Sequence, residues 1–404
     1  MRVPEGFDLT DPDLIASRVP HEELAALRSE APVWWNRQPP GFGFDDGGFW
    51  LLTRHADVRE VSLRPDVFSS YENGVIVRFY EGMSRPEIEI QRNMMVNTDP
   101  PEHTKLRRIV NRGFTPRAMR MIESALAERA EKIVAEAAAA GGGDFVEQVA
   151  CELPLQAIAE LLGVPQEDRR RIFEWSNQMM AYDDPDFDGS PAVASAELIG
   201  YFSQLASERS SDPRDDIVTK LVTADLEDRG LTPDEFAFFV LLLSVAGNET
   251  TRNAITHGML AFFDNPEQWE LYRAERPATA ADEIVRWATP VMIFQRTATR
   301  DAEIGGVAVR AGQRVGLSYS AANFDPAVFD EPFRFDVTRD PNPHLGFGGG
   351  GPHYCLGANL AKMEINLMFN AIADRMPRIA PVGPQRRLRS GWLNAVKELP
   401  VRYS

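Results

Sequence analysis

The sequence predicts a mainly α fold with a smaller β-rich portion. Three observations carry that expectation. From about residue 99 to residue 290 apolar residues recur at helical spacing with few interruptions. After Pro290 the pattern changes to short apolar or alternating runs separated by turn residues. No repeat, low-complexity tract or linker divides the two regions, so they belong to one mixed fold.

The elements follow in chain order. A helix is expected over His21–Glu30 behind Pro20, and Phe49–Thr53 and Val75–Val77 run apolar or alternate as strands do. Asp99-Pro100-Pro101-Glu102 opens the next helix, because proline suits a first turn and carboxylates suit its positive end. Helical spacing then covers 117–140, 153–162, 166–180, 194–207, 217–224, 233–263, 266–273 and 278–288, with Gly141–Gly143 as one clean stop. Short strands are expected at 296–299, 307–309, 315–318, 392–393 and 399–403, and a last helix over about 356–376.

Composition narrows the function classes. The 404 residues hold 43 Lys and Arg against 60 Asp and Glu, a net charge of −17, with 44% hydrophobic residues. That is ordinary globular composition, and its acidity argues against a protein that grips nucleic-acid phosphates. Cys151 and Cys355 stand far apart and make no disulfide framework, which fits a reducing compartment. The first ten residues lack a signal-type apolar stretch, and Phe236–Asn248, the most apolar run, is far short of the roughly 20 residues a membrane span needs. A cytoplasmic protein with a buried apolar helix is the expectation.

Four segments carry chemistry. In the first, Phe347-Gly-Gly-Gly-Gly-Pro-His353-Tyr-Cys355-Leu-Gly357, a glycine-rich turn delivers a cysteine to a helix start, where amides and dipole favour the metal-binding thiolate. Gly346, Gly348 and Gly351 satisfy GxGxxG, but no strong strand precedes them and a proline follows, unlike a dinucleotide site. A phosphate loop would need Lys then Ser or Thr after the glycines, and zinc would need a second Cys/His cluster. The second segment, Ala246-Gly247-Asn-Glu249-Thr250-Thr, sets small and polar residues in an otherwise apolar helix, against its stability. A packing glycine with back-bonded threonines is the plainer reading. The third is Glu283-Ile-Val-Arg286 with Phe333-Arg334-Phe335 downstream, a pair that shares one helix face. The fourth is His103 with Arg107 on one helix, plus Arg296 opening a strand; such groups are commonly solvated, yet they could converge on carboxylates.

Together, in this order, these segments resemble the cytochrome P450 superfamily of haem-thiolate monooxygenases over 1–404, as one domain around one haem b. The resemblance implies Cys355 as the iron ligand, with Phe347 and Gly357 beside it and His103, Arg107, Arg296 and His353 on the haem propionates. It implies Glu249 and Thr250 as the proton relay to dioxygen, room for it above Ala246 and Gly247, and a structural triad of Glu283, Arg286 and Arg334. Phe347 stands eight residues before Cys355 rather than the family's common seven, an insertion in the turn.

Further segments, among them Ala31–Asn36, Gly74–Phe79, Arg112–Pro116 and Gly391–Lys397, resemble the actinobacterial sterol side-chain hydroxylases. In that reading Ile76, Phe79, Ile90, Gln91, Met94, Val245, Val291, Ile293 and Trp392 line the substrate funnel, although each could equally be ordinary core. The implied partners are a sterol or lipid, dioxygen, and a ferredoxin with its reductase, docking on Lys105, Arg107, Arg108 and Arg112. The alternatives are a terminal hydroxylase of methyl-branched lipids and a haem-thiolate protein that oxygenates nothing.

Overall fold

A computed structural model describes residues 3–111, 114, 116–187, 189–224 and 230–403. The N-terminal part alternates short helices and strands: α1 (Pro12–Ser17), α2 (His21–Glu30), β1 (Val33–Arg37), β2 (Gly48–Leu52), α3 (His55–Ser62), β3 (Phe68–Ser69) and α4 (Arg85–Ile90). A helical series follows: α5 (Glu102–Asn111), α6 (Pro116–Ala140), α7 (Glu152–Leu162), α8 (Arg169–Met180), α9 (Pro191–Ser211), α10 (Ile217–Val222), α11 (Pro233–Asp264), α12 (Pro266–Glu275) and α13 (Ala280–Ala288), with β4 (Gly142–Asp144) between α6 and α7. The C-terminal part holds β5 (Ile293–Ala298), β6 (Ala302–Ile304), β7 (Val307–Val309), β8 (Arg314–Ser318), α14 (Tyr319–Ala322), α15 (Ala358–Arg375), β9 (Ala380–Pro381), β10 (Arg386–Arg387), β11 (Val396–Glu398) and β12 (Pro400–Arg402).

The 32-residue α11 is the axis of the helical part, about 48 Å long at 1.5 Å per residue. Thr232 and Glu235 close a capping box at its start, which satisfies orphan amides there. It packs on α7, α9, α13 and α15. At Gly258 the approach is so close that a Cβ would stand 2.9 Å from both Ile284 of α13 and Phe369 of α15. Phe262, Phe335, Phe369 and Tyr272 fill the space beside that crossing. The largest apolar core spans α5 to α13 and α15, and a second lies under the five-stranded sheet.

That sheet has the order β1-β2-β8-β5-β3, with β2 and β8 parallel and the other pairs antiparallel. Its fourth strand carries Arg296 opposite Val315. The long segment between α14 and α15 contains the cysteine loop.

Most helix expectations coincide with helices, and the mainly α fold with a smaller β-rich portion is the architecture found. Val75–Val77 is not a strand: the Val75 and Val77 side chains are buried and Ile76 half-buried, but Val75 N–H donates to the Asn97 side chain and only the Val75 carbonyl meets β5. Trp392–Leu393 likewise reduces to one bridge between Leu393 and Val291. Apolar alternation signalled burial at both places, while the neighbouring chains left no continuous edge to pair with. No helix among the described residues is long and apolar enough to cross a membrane.

Candidate active site around Cys355

The cysteine loop closes on itself: Cys355 N–H donates to the Phe347 carbonyl at 2.9 Å, and Gly348 N–H to Leu345 at 2.9 Å. Gly348, Gly350 and Gly351 take positive φ of 96°, 92° and 72°, the left-handed region that glycine enters without penalty. The loop is pressed onto α3, where a Cβ at Gly349 would stand 2.3 Å from Ser62 Oγ. Four consecutive glycines thus absorb the extra residue between Phe347 and Cys355. Protein atoms surround the thiol densely enough for burial to push it up, while a Gly357 amide bond and the Arg107 charge pull it back. Yet Cys355 is surface-accessible. Dense surroundings and accessible sulfur together mean that it faces an internal void.

Four basic groups gather near this loop. Arg107 of α5 donates to the Pro352 carbonyl at 3.0 Å, and the His103 and His353 rings lie 4.2 Å apart. His353 Nε2 meets Ser70 Oγ at 3.1 Å. His103 Nδ1 is buried without a partner. Arg296 is buried, bonds only a backbone carbonyl, Gln295 O at 2.7 Å, and forms no ion pair among the described residues. Burial, reinforced by the neighbouring arginines, lowers His103 to about 4 and His353 to about 2; burial also depresses Arg107 and Arg296. At neutral pH both imidazoles are therefore uncharged and the positive charge rests on Arg107 and Arg296; a guanidinium buried like that of Arg296 suits an anion beside it, since uncompensated charge is costly away from water.

α11 presents the third feature. Most of its middle is buried, but Phe238, Leu242, Ala246 and Thr250, spaced by four, retain exposure, Ala246 most of all. One face of the helix therefore borders an open space within the fold. Thr250 Oγ1 lies on it and donates to the Ala246 carbonyl at 2.8 Å. Glu249 is turned off this face, fully buried against Arg252, and burial raises its carboxyl despite that charge. Gly247 packs on α7, where a Cβ would be 3.4 Å from Ile158.

These features fit a haem. Among the described residues no group of three His, Cys, Asp or Glu could enclose a bare metal ion. A lone thiol at a helix start with arginines close by suits a metal carried in an anionic macrocycle, the arrangement of thiolate-ligated haem. The basic cluster supplies counter-charges and the orphaned His103 nitrogen for two carboxylates. Ala246 and Gly357 leave space: a Cβ at Gly357 would meet nothing within 4 Å.

Glu283 and Arg286 form a buried hub, both 0% exposed, with paired bonds of 2.7 and 2.8 Å. Glu283 also accepts from Asp336 N–H at 2.9 Å and Asn342 Nδ2 at 3.0 Å. Arg334 is not its third member. That side chain is 58% exposed and pairs with Glu331, and only its backbone carbonyl reaches Arg286. The place belongs to Arg339, which sequence reading missed and whose Nε donates to Glu283 at 3.2 Å. The turn after Phe335 brings Arg339 back across Asp336, whereas Arg334 points outward between two carboxylates.

The funnel residues divide. Ile76, Gln91, Met94 and Val291 are half-buried, and Trp392 is buried with Nε1 donating to Tyr182 Oη at 3.0 Å. Phe79 is instead core, packed with Phe44, Met83 and Ile88, and Val245 is buried in α11. Ile293 is fully buried, so close under β8 that a Cβ at Gly316 would be 2.9 Å from its Cδ1. Strand alternation sends the next residue, the half-buried Phe294, to the other face, where it meets Trp392 at 5.9 Å; Phe294 escaped sequence reading. Ile90, 55% exposed, stands on the outside of α4. Cys151 is buried, its thiol donating to Glu147 O and pushed up to about 12 by burial.

Residues 278–375 match the family description Cytochrome P450. The chain is 62% identical over 402 residues to a steroid C26-monooxygenase of Rhodococcus jostii, covering 99% of this chain and 85% of that one. It is 42% identical over 394 residues to a methyl-branched lipid omega-hydroxylase of Mycobacterium tuberculosis, covering 94% and 90%. It superposes on a solved Mycobacterium marinum cytochrome P450 in complex with pseudoionone with a TM-score of 0.90 at 37% identity, covering 96% and 97%. Cysteine loop, buried cations and open α11 face therefore have a common explanation: the chain belongs to the cytochrome P450 family, a monooxygenase whose cofactor is thiolate-ligated haem.

Proposed function

We propose that the protein hydroxylates the terminal methyl of a steroid side chain, at the carbon numbered 26 in the names of its relatives. The observation that carries this reading is the gap in identity between the steroid C26-monooxygenase, at 62%, and the branched-lipid hydroxylase, at 42%. The half-buried apolar residues Phe238 and Leu242 on the exposed α11 face, with Val291 and Phe294 half-buried beside Trp392 and Leu393, suit a hydrocarbon chain.

In this reading Cys355 holds the haem iron, and the cofactor supplies the centre at which dioxygen, two electrons and two protons become one hydroxyl oxygen and one water. Gly357 N–H steadies the sulfur's negative charge. Arg107, Arg296, His103 and His353 orient the ring by its carboxylates and exclude water from that edge. Thr250, free to rotate from the Ala246 carbonyl, presents a hydroxyl to the open space, and Glu249 beside it takes protons from the protein interior. Glu283, Arg286 and Arg339 hold the fold beneath the loop.

The test is displacement of iron-bound water, followed as a Soret shift, by cholestenone, cholesterol, branched fatty acids and steroids without side chains. Tight responses confined to the two side-chain sterols are expected. A response to fatty acids and to no sterol would replace this substrate by the branched-lipid alternative.

We further propose a cytoplasmic, single-domain protein that takes electrons from a ferredoxin. Of the four basic residues expected at the docking face, Arg107 turns inward, Lys105 pairs with Glu102, and Arg112 lies outside the described residues. Arg108 is exposed one residue beyond Arg107, the residue that touches the cysteine loop. Arg108→Glu is expected to slow ferredoxin reduction several-fold at low salt and much less at high salt, because screening removes long-range steering. Stopped-flow reduction at the two ionic strengths measures it; equal rates for variant and parent would remove Arg108 from the interface.

A further inference from the structure

The interface between α8 and α11 contains polar groups that neither helix satisfies. Asn248, 1% exposed, leaves both Oδ1 and Nδ2 without partners among the described residues. Ser176 of α8, fully buried, leaves Oγ unpartnered, as Arg252 does its Nε and Glu249 its Oε1. The two helices are tied across this seam by Arg252, whose Nη1 donates to Asn177 Oδ1 at 3.1 Å while Nη2 holds Glu249. Phe173 of α8 packs on the same guanidinium at 5.8 Å.

Asn248 and Arg252 are four residues apart and Glu249 and Arg252 three, so all three share one side of α11. Asn253, by contrast, is fully engaged: its Nδ2 donates to Glu249 O at 2.7 Å and its Oδ1 accepts from Val396 N–H at 3.0 Å. Asn248, Glu249 and Arg252 thus lie together on the side of α11 from which Arg252 reaches Asn177 and Phe173 of α8. An unpaired polar group shut away from water costs about as much as a lost hydrogen bond, and native interiors meet such clusters with ordered water.

We propose that the α8–α11 seam is hydrated, and that Asn248 and Ser176 hold a file of water that delivers protons to Glu249. The proposal rests on the reading of Glu249 as the proton donor toward Thr250. Each turnover joins one oxygen atom to a C–H bond and converts the other to water, consuming two electrons from the redox partner and two protons. Glu249 is buried and must be reprotonated from outside. Its free Oε1 is the atom that can accept the proton, while Oε2 stays on Arg252. Arg252 is a positioning residue that keeps the carboxylate aimed into the seam, and Asn248, with one donor and one acceptor, can pass a hydrogen-bonded chain from Ser176 to it.

Asn248→Leu, close in volume and without polar atoms, tests this in the reconstituted holoenzyme. Product formed per electron pair is expected to fall about tenfold, below the full effect of losing a proton donor. The solvent isotope effect on kcat should rise, with the substrate-induced Soret shift unchanged and coupling rescued by Asn248→Ser. An independent readout is the infrared band of the protonated Glu249 carboxyl, assigned by its loss in Glu249→Gln, which Asn248→Leu should shift. Ser176→Ala, on the other helix, should produce the same changes in smaller measure and decides the matter if Asn248→Leu fails to take up haem. Native coupling, isotope effect and carboxyl band in both variants, with Glu249→Gln uncoupled, would overturn the seam alone. Native coupling in Glu249→Gln would overturn the relay reading, and the seam with it.

Discussion

Cys355→His is expected to abolish hydroxylation, with kcat/KM falling by about 10³ or more, the scale of losing an essential catalytic group. The ferrous carbon monoxide complex should lose its thiolate-type Soret band. The expectation rests on the loop: its glycines, its closure from Cys355 N–H to Phe347 O and the Gly357 amide all converge on one sulfur. The alternative thiol, Cys151, has burial holding it protonated and its Sγ committed to Glu147 O. Persistence of the thiolate band in the variant would mean that Cys355 is not the ligand.

Glu283→Ala is expected to cost about 3–5 kcal/mol, the penalty of leaving a buried arginine without its carboxylate. Arg286 would lose two bonds at 0% exposure, with Phe324 and Phe329 packed at 5.2 and 5.3 Å from its guanidinium. Arg339→Ala should be clearly destabilising, because it removes a bond to Glu283 and three to the carbonyls of Asp330, Glu331 and Arg334. Arg334→Ala should stay within about 0.5 kcal/mol, as exposed ion pairs contribute little. Urea midpoints of the three variants measure these differences. Arg334→Ala matching Arg339→Ala would reverse the assignment of the hub.

Where an interaction is completed within a helical turn or a few bonded residues, the residue string contains both partners. Glu283 with Arg286, and the glycines leading to Cys355, are of that kind. So is the polar interruption of α11, since a four-residue spacing from Phe238 to Thr250 defines a face before anything packs on it. A length of 404 residues, at about 150 per domain, would by itself allow two or three domains. The basic groups instead reach from His103 to His353 around one loop, and the proposed single domain follows from that convergence.

Spacing failed where two distant segments meet. Arg334 and Arg339 lie five residues apart in one irregular stretch, and both are flanked by acidic residues. Only the packing of that stretch against α13 sends one inward and the other to solvent. The expected funnel residues divide for the same reason: Ile293 and Phe294 are both apolar, and which of them is fully buried and which meets Trp392 is set by the pairing of β5 with β8. The sequence by itself determined the helical frame, the glycine-rich loop ending in Cys355, the polar interruption of α11 and the first ion pair, because these depend on periodicity and adjacency. Tertiary structure alone decided the third cation of the hub, the burial of each apolar residue beside β5 and the unsatisfied polar groups beside Glu249, because each depends on which surfaces become shut away from water together.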